Sequence, residues 1–144
     1  MKTKKVIADS ICLLLALELF YEGVSKLFNL HAYAAWLKFV PYLQTMPGVL
    51  SYVIPAAEIA LACLLAFSKR KPRALLICTG ALVLYVAWVL SAHLLTRTIF
   101  WPYDALWPNP NWIQKMFVAV GMAWLAIAGA MLDPTKKEVI HSVP

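Results

Sequence analysis

The sequence predicts an all-α membrane protein: a four-transmembrane-helix bundle with both termini in the cytoplasm and a short interfacial helix in the first outer loop. Three observations lead there. Of the 144 residues, 62% are hydrophobic and only 14% charged, with a mean hydropathy of +0.73, whereas soluble domains are about half apolar. The apolar residues gather into four runs, each long enough to cross a hydrocarbon core of about 30 Å. The basic residues are placed asymmetrically around those runs.

The first run, Val6 to Phe28, follows Lys2, Lys4 and Lys5. It resembles a signal peptide only in that basic start. It exceeds a normal h-region, contains Glu18 and Glu22, and has no small-residue cleavage signature behind it, so a retained helix is expected. His31 to Val40, stopped by Pro41, predicts a short helix lying in the interface, with Tyr33, Trp36, Leu37 and Val40 on one face. The second helix is expected over 49–68 and the third over 74–95. Between them Lys69-Arg70-Lys71-Pro72-Arg73 makes a tight basic hairpin, which requires the two to be antiparallel neighbours. Thr96 to Asn111 carries Phe100, Trp101, Tyr103 and Trp107 among Pro102, Pro108 and Pro110, which deny it a regular helix. The fourth helix is expected over 112–132. No room remains for a separate soluble domain, so 1–144 reads as one membrane domain.

Lys2, Lys4, Lys5, Lys69, Arg70, Lys71, Arg73, Lys136 and Lys137 all fall on one side of this hairpin arrangement. The other side has Lys38 and Arg97 in its loops and Lys26 and Lys115 near helix ends. By the positive-inside rule the first side is cytoplasmic. The net charge of +6 is therefore topological, its natural partner the anionic lipid headgroups of the inner leaflet rather than nucleic acid. The outer tryptophans Trp36, Trp101, Trp107 and Trp112 suit an aromatic belt, or a lid over a site. Ala56 with Ala60, Ala119 with Ala123, and Ala126 with Ala130 offer small-x-x-x-small spacings for close helix packing.

Charged groups inside a membrane carry the functional information, because each costs roughly 2.5 to 3.5 kcal/mol at the centre and persists when paired or useful. Glu18, Glu22 and Lys26 repeat every four residues and form one stripe on the first helix. Counting about 1.5 Å per residue from the outer ends, Glu18 and Glu58 lie about 15 Å and 14 Å deep, and Lys26, His93 and Lys115 within about 5 Å of the surface. A ligand-binding cluster of Glu18, Glu22, Lys26, Glu58, His93 and Lys115 in the outer half is expected, with Tyr52, Tyr85 and Ser91 as further hydrogen-bonding groups. Paired buried carboxyls suit proton exchange with a quinone-like ligand. The bland alternatives are an i, i+4 pair for Lys26 with Glu22, lysines that snorkel to the headgroups, and charges that only fix helix packing.

No metal is expected. The spans hold no Glu-x-x-His motif and one histidine, His93, which more often satisfies a carbonyl or carboxylate. Cys12, Cys63 and Cys78 are solitary and read as reduced, buried, apolar side chains of the inner half, away from the acidic stripe. No phosphate-binding loop or nucleophile triad is present, and the residues name no catalytic group.

Glu22-Gly23-Val24-Ser25-Lys26-Leu27, a short loop helix and then Pro55-Ala56-Ala57-Glu58 resemble the DoxX-like and MauE-like group of small bacterial membrane proteins, from about Ala16 to Leu132. The Gly-x-x-Lys-Leu and Pro-x-x-Glu motifs of that group fall on Gly23, Lys26, Leu27, Pro55 and Glu58. The resemblance implies a redox-associated component of the inner membrane that works with a partner enzyme in the membrane or periplasm; members are linked to a thiosulfate:quinone oxidoreductase subunit and to maturation of methylamine dehydrogenase. This chain departs from the pattern at Glu18, where an apolar residue or arginine is expected. It also lacks a paired cysteine motif, which argues against thiol transfer. Two functions stay open: a component that binds a small redox ligand or quinone, and a non-catalytic subunit or assembly factor that docks a partner through its intramembrane charges. A transporter is disfavoured for want of inverted repeats.

Overall fold

The computed structural model describes residues 2–40, 42–96 and 112–132, apart from the side chains at 93, 96, 112, 113 and 115. Every regular element among them is α-helix: α1 (Lys2–Phe28), α2 (Leu30–Leu37), α3 (Pro47–Phe67), α4 (Lys71–Thr96) and α5 (Trp112–Leu132). The long connection after α4 and the residues after α5, with the tryptophans at 101 and 107 and the lysines at 136 and 137, lie outside the described residues.

The apolar runs become helices, and the hydroxyls of Ser10, Ser51, Thr79 and Ser91 within them bond back to carbonyls three or four residues earlier without ending the helix. Pro47 opens α3 and Pro72 lies in the first turn of α4, positions where a missing N–H costs nothing. Pro55 is the exception, sitting inside α3. At the far end of α3 the Lys71 ammonium donates to the carbonyls of Leu65 (2.8 Å) and Ala66 (3.1 Å). One side chain thus satisfies two orphan acceptors and places a cation at the negative end of the helix dipole.

Inward-facing positions on α1 are Ala8, Cys12, Leu15, Ala16, Leu19 and Gly23, a helical period of small and medium residues. Leu13, Leu14, Leu17 and Phe20 on the same helix are exposed, as are Leu76, Val83 and Leu84 on α4 and Phe117, Trp124 and Met131 on α5. Small residues inside and large apolar ones outside is the pattern of helices that pack in lipid. α3 and the Lys71–Ala92 stretch of α4 are long and apolar enough to cross a membrane, and Met116–Leu132 is a shorter apolar stretch. α1 matches them in length, but Asp9, Glu18, Glu22 and Lys26 interrupt its run.

α1 packs mainly on α3 and then α5, and α5 packs on α4. At the end of the bundle formed by the α3–α4 hairpin, Cys12, Leu15, Leu65, Leu75, Ala126 and Ala130 join one buried apolar cluster. The tight hairpin does make α3 and α4 neighbours, yet they touch more lightly than α1 and α3 do. α2 packs along α3 at the opposite end.

Several expectations need correcting. α2 stops at Leu37 rather than Val40; Phe39 N–H and Val40 N–H bond back to the carbonyls of Trp36 (2.9 Å) and Leu37 (3.2 Å) and close the helix with turns. Tyr33 and Leu37 on α2, and Val40 just after it, are buried. Ala56 and Ala60 are exposed, so that small-residue pair does not bring helices together, whereas Ala119, Ala126 and Ala130 are buried. Cys63 is exposed rather than buried.

Candidate functional site

α1 and α3 approach closely at Gly23. A Cβ there would stand 2.8 Å from Ile59 Cγ1, 3.0 Å from the Pro55 carbonyl oxygen and 3.4 Å from Glu58 Cβ, so only glycine admits this approach. Lys26 lies three residues further on the same face of α1. Side chains lean toward the N-terminus of their helix. On α1 that lean carries Lys26 down into the bundle, and on the oppositely running α3 it carries Glu58 up toward the end capped by α2. The two meet: Lys26 Nζ donates to Glu58 Oε1. Glu22 Oε2 lies 3.6 Å from the same ammonium, and all three side chains are at least four-fifths buried.

Glu58 Oε2 is buried and has no hydrogen-bond partner among the described residues. From the α2 side, the Tyr33 ring lies 5.9 Å from Lys26 Nζ, within cation–π reach, and stacks on Trp36 at 5.9 Å with the planes 19° apart. Burial pushes the Tyr33 phenol well above its ordinary range, and the Glu58 carboxylate pushes it further, followed by Tyr85 and Glu22. Tyr33 therefore stays a neutral phenol at any physiological pH.

Two cavities adjoin this ion pair. The larger, of about 600 Å³, lies among α1, α3, α4 and α5, beside the loose α3–α4 seam. Its polar wall is Glu18, Glu22, Lys26, Glu58, Tyr85 and Gln114, and its apolar wall includes Leu19, Leu61, Leu82, Phe117 and Met122. The smaller, of about 330 Å³, lies under α2 and is walled by Tyr33, Trp36, Tyr85 and Trp88 around Lys26 and Glu58. Lys26, Ile54, Glu58, Ala81 and Tyr85 face both.

A family model described as methylamine utilisation protein MauE matches residues 4–99, about two thirds of the chain's 144 residues. The chain belongs to the MauE family. With the apolar helices α3 and α4, it is a membrane protein of that family. The MauE match spans α1 to α4 and contains both motif segments, Gly23 to Leu27 and Pro55 to Glu58, in which Gly23 approaches Pro55 and Lys26 meets Glu58. Comparison with curated proteins and with solved structures returns no match.

Of the six expected site residues in this MauE-family chain, the structure brings Glu18, Glu22, Lys26 and Glu58 to one cavity wall. The backbones of His93 and Lys115 lie in α4 and α5; their side chains lie outside the described residues. Lys26 does not snorkel but turns inward. Tyr85 faces both cavities, whereas Tyr52 is exposed and the Ser91 hydroxyl donates to the Trp88 carbonyl within α4 (2.8 Å). Cys78, expected away from the acidic stripe, lines the larger cavity with Glu18 and Glu58.

Tyr33, Trp88 and Gln114 were not foreseen as wall residues, and Trp36 only as part of a belt or a lid. Gln114 had a signal, a polar side chain in an otherwise apolar run. Trp88 stands one turn from Tyr85, their rings 6.0 Å apart, a pairing that i, i+3 spacing permits. No group of His, Cys, Asp and Glu that could hold a metal occurs among the described residues.

Proposed function

We propose that this MauE-family protein is a component of methylamine utilisation that binds a small redox ligand, such as a quinone, beside the Lys26–Glu58 pair and serves a partner enzyme in the membrane or periplasm. Four helices, α1, α3, α4 and α5, cross the bacterial inner membrane as one domain. Both termini are cytoplasmic, α2 lies in the outer interface, and the cavities open in the outer half of the bilayer. The nine basic residues around the α1 start, the hairpin and the C-terminal tail support that orientation. Glu18, Glu22, Lys26 and Glu58 form the polar wall, and His93 and Lys115 stand toward its mouth.

The observation that carries this reading is the ion pair at the wall of a cavity of about 600 Å³, with Glu58 Oε2 unmet among the described residues. Charges held inside a membrane mark function by default, and an apolar cavity with a few convergent polar groups is where a ligand binds. The test is complementation of a strain that lacks the protein. Glu58→Gln and Lys26→Met are expected to reach the membrane but to abolish growth on methylamine and partner-dependent redox activity. Full activity at normal abundance in both variants overturns the reading.

One observation favours the second reading, a non-catalytic subunit or assembly factor. Both family motifs are also packing devices, since Gly23 sits on Pro55 and Lys26 on Glu58. In that case the same variants lower the abundance of the protein and of its partner complex in parallel with activity.

A further inference from the structure

The larger cavity does not end inside the bundle. Val53 and Ala57 of α3 line it, yet both are exposed. Leu84 of α4 lines the smaller cavity and is 72% exposed, and Ala81 faces both cavities. These four residues border the α3–α4 seam, where the two helices touch lightly although a tight hairpin joins them. Ala57 and Ala81 each lie ten residues from the hairpin end of their helix, about 15 Å along it. Two of the smallest side chains thus stand at one level on opposite sides of the seam and leave a cleft between them.

The chemistry of the rim decides what fits there. Val53, Ala57, Ala81 and Leu84 carry no polar side-chain atom, and α3 and α4 are the two helices long and apolar enough to cross a membrane. An apolar chain passing over this rim leaves hydrocarbon for a surface equally apolar, so only shape and packing decide whether it is held. The exposed lining residues of α5 differ. Gln114, Phe117 and Val118 share the cavity with Glu18 of α1, and α1 packs on α5 more closely than α3 does on α4. The α3–α4 border is both the looser and the wholly apolar one.

Resting on the pocket reading above, we propose that the ligand is a tailed, bilayer-dissolved molecule held across the α3–α4 seam. Its tail lies in the cleft over Ala57 and Ala81, and its head meets the polar wall at Glu22, Lys26 and Tyr85. The two alanines are then specificity residues, because their small size is what lets a tail leave the cavity toward the lipid. A molecule with the same head and no tail needs the cavity but not the cleft. Binding makes no bond and transfers no electron.

The test uses the purified full chain in phosphatidylcholine nanodiscs. Decylubiquinone and its tailless head, dimethoxy-methyl-benzoquinone, are titrated by calorimetry, with empty nanodiscs as the blank for partitioning. Ala57→Phe/Ala81→Phe fills the cleft and is expected to weaken decylubiquinone at least about tenfold more than the tailless head. Ala56→Phe adds the same bulk at an exposed position of α3 that lines neither cavity, and is expected to keep the native ratio of the two affinities. Equal weakening of both probes in the filled variant, or no weakening, overturns the cleft and leaves the pocket standing. Failure of the native protein to bind either probe overturns the pocket and the cleft together. Photolabelling of the native protein decides the matter even if the filled variant does not fold. A decylubiquinone analogue with a diazirine midway along its tail is expected to label Val53, Ala57, Ala81 or Leu84, read by peptide mass spectrometry as the label that excess decylubiquinone displaces. Displaceable label confined to α1, α2 or α5 overturns the proposal.

Discussion

At the hairpin end of the bundle Leu15, Leu65 and Leu75 are fully buried in one apolar cluster with Cys12 and Cys78, whereas at the α2 end the same helices enclose two cavities walled by charges and aromatic rings. The helices and the solvent are the same at both ends, so the difference lies in the side chains. Between helices in lipid there is no hydrophobic driving force, and stability comes from close packing and polar contacts. The hairpin end relies on the first, whereas the α2 end combines both, with Leu37, Val40, Pro55 and Val89 fully buried beside the ion pair. Packing and the ion pair together hold the walls of the cavities there.

The α2 end is most vulnerable at Lys26. Lys26→Met leaves Glu58 and Glu22 buried without their cation, and thermal unfolding in nanodiscs is expected to show a loss of about 3 to 5 kcal/mol. Stability equal to the native protein would mean that the α2 end is held by something else. At the dry end, Leu75→Ala is expected to cost about 2 to 4 kcal/mol through the void it leaves. Ligand binding at the far end should not change.

Two glycines sharpen the contrast. At Gly23 a Cβ meets the Pro55 carbonyl oxygen at 3.0 Å as well as Ile59, and a backbone atom cannot step aside. At Gly129 it meets Leu75 Cδ1 at 3.1 Å and Ile11 Cγ2 at 3.3 Å, ends of side chains that can turn. Gly23→Ala should therefore destabilise by about 1 to 3 kcal/mol and weaken ligand binding, and Gly129→Ala by less than about 1 kcal/mol with binding intact. Equal effects would remove the distinction between the seams. The smallest effect is expected at Tyr42, which holds φ at 70°, a region unfavourable to a residue with a Cβ. Tyr42→Gly should raise stability by less than about 1 kcal/mol, since relief of strain is partly offset by the freer unfolded chain.

How much of this was legible in the sequence follows from the solvent. Apolar runs announce the helices, and their ends came within a few residues: the first starts at Lys2 instead of Val6 and the second at Pro47 instead of Val49. Which face of each helix turns inward was not legible, because both faces are apolar in lipid. Ala56 and Ala60 were misplaced for that reason. The charged stripe Glu18, Glu22, Lys26 could be read from its four-residue spacing, but the partner of Lys26 lies 32 residues away. That pairing depends on how closely Gly23 lets α1 approach α3 and on the opposed lean of two side chains. The inward turn of Tyr33 and Trp36 depends on α2 docking against α3, a contact between elements that local periodicity does not encode.

Lys26 and Glu58 act as one unit that ties α1 to α3 at the cavity wall. A double-mutant cycle of Lys26→Met and Glu58→Gln, read as thermal unfolding free energy in nanodiscs, tests it most directly. The single variants should each lose more than the double variant does, with a coupling energy of at least about 1.5 kcal/mol between the two positions. Losses that simply add, to within about 0.5 kcal/mol, would contradict it.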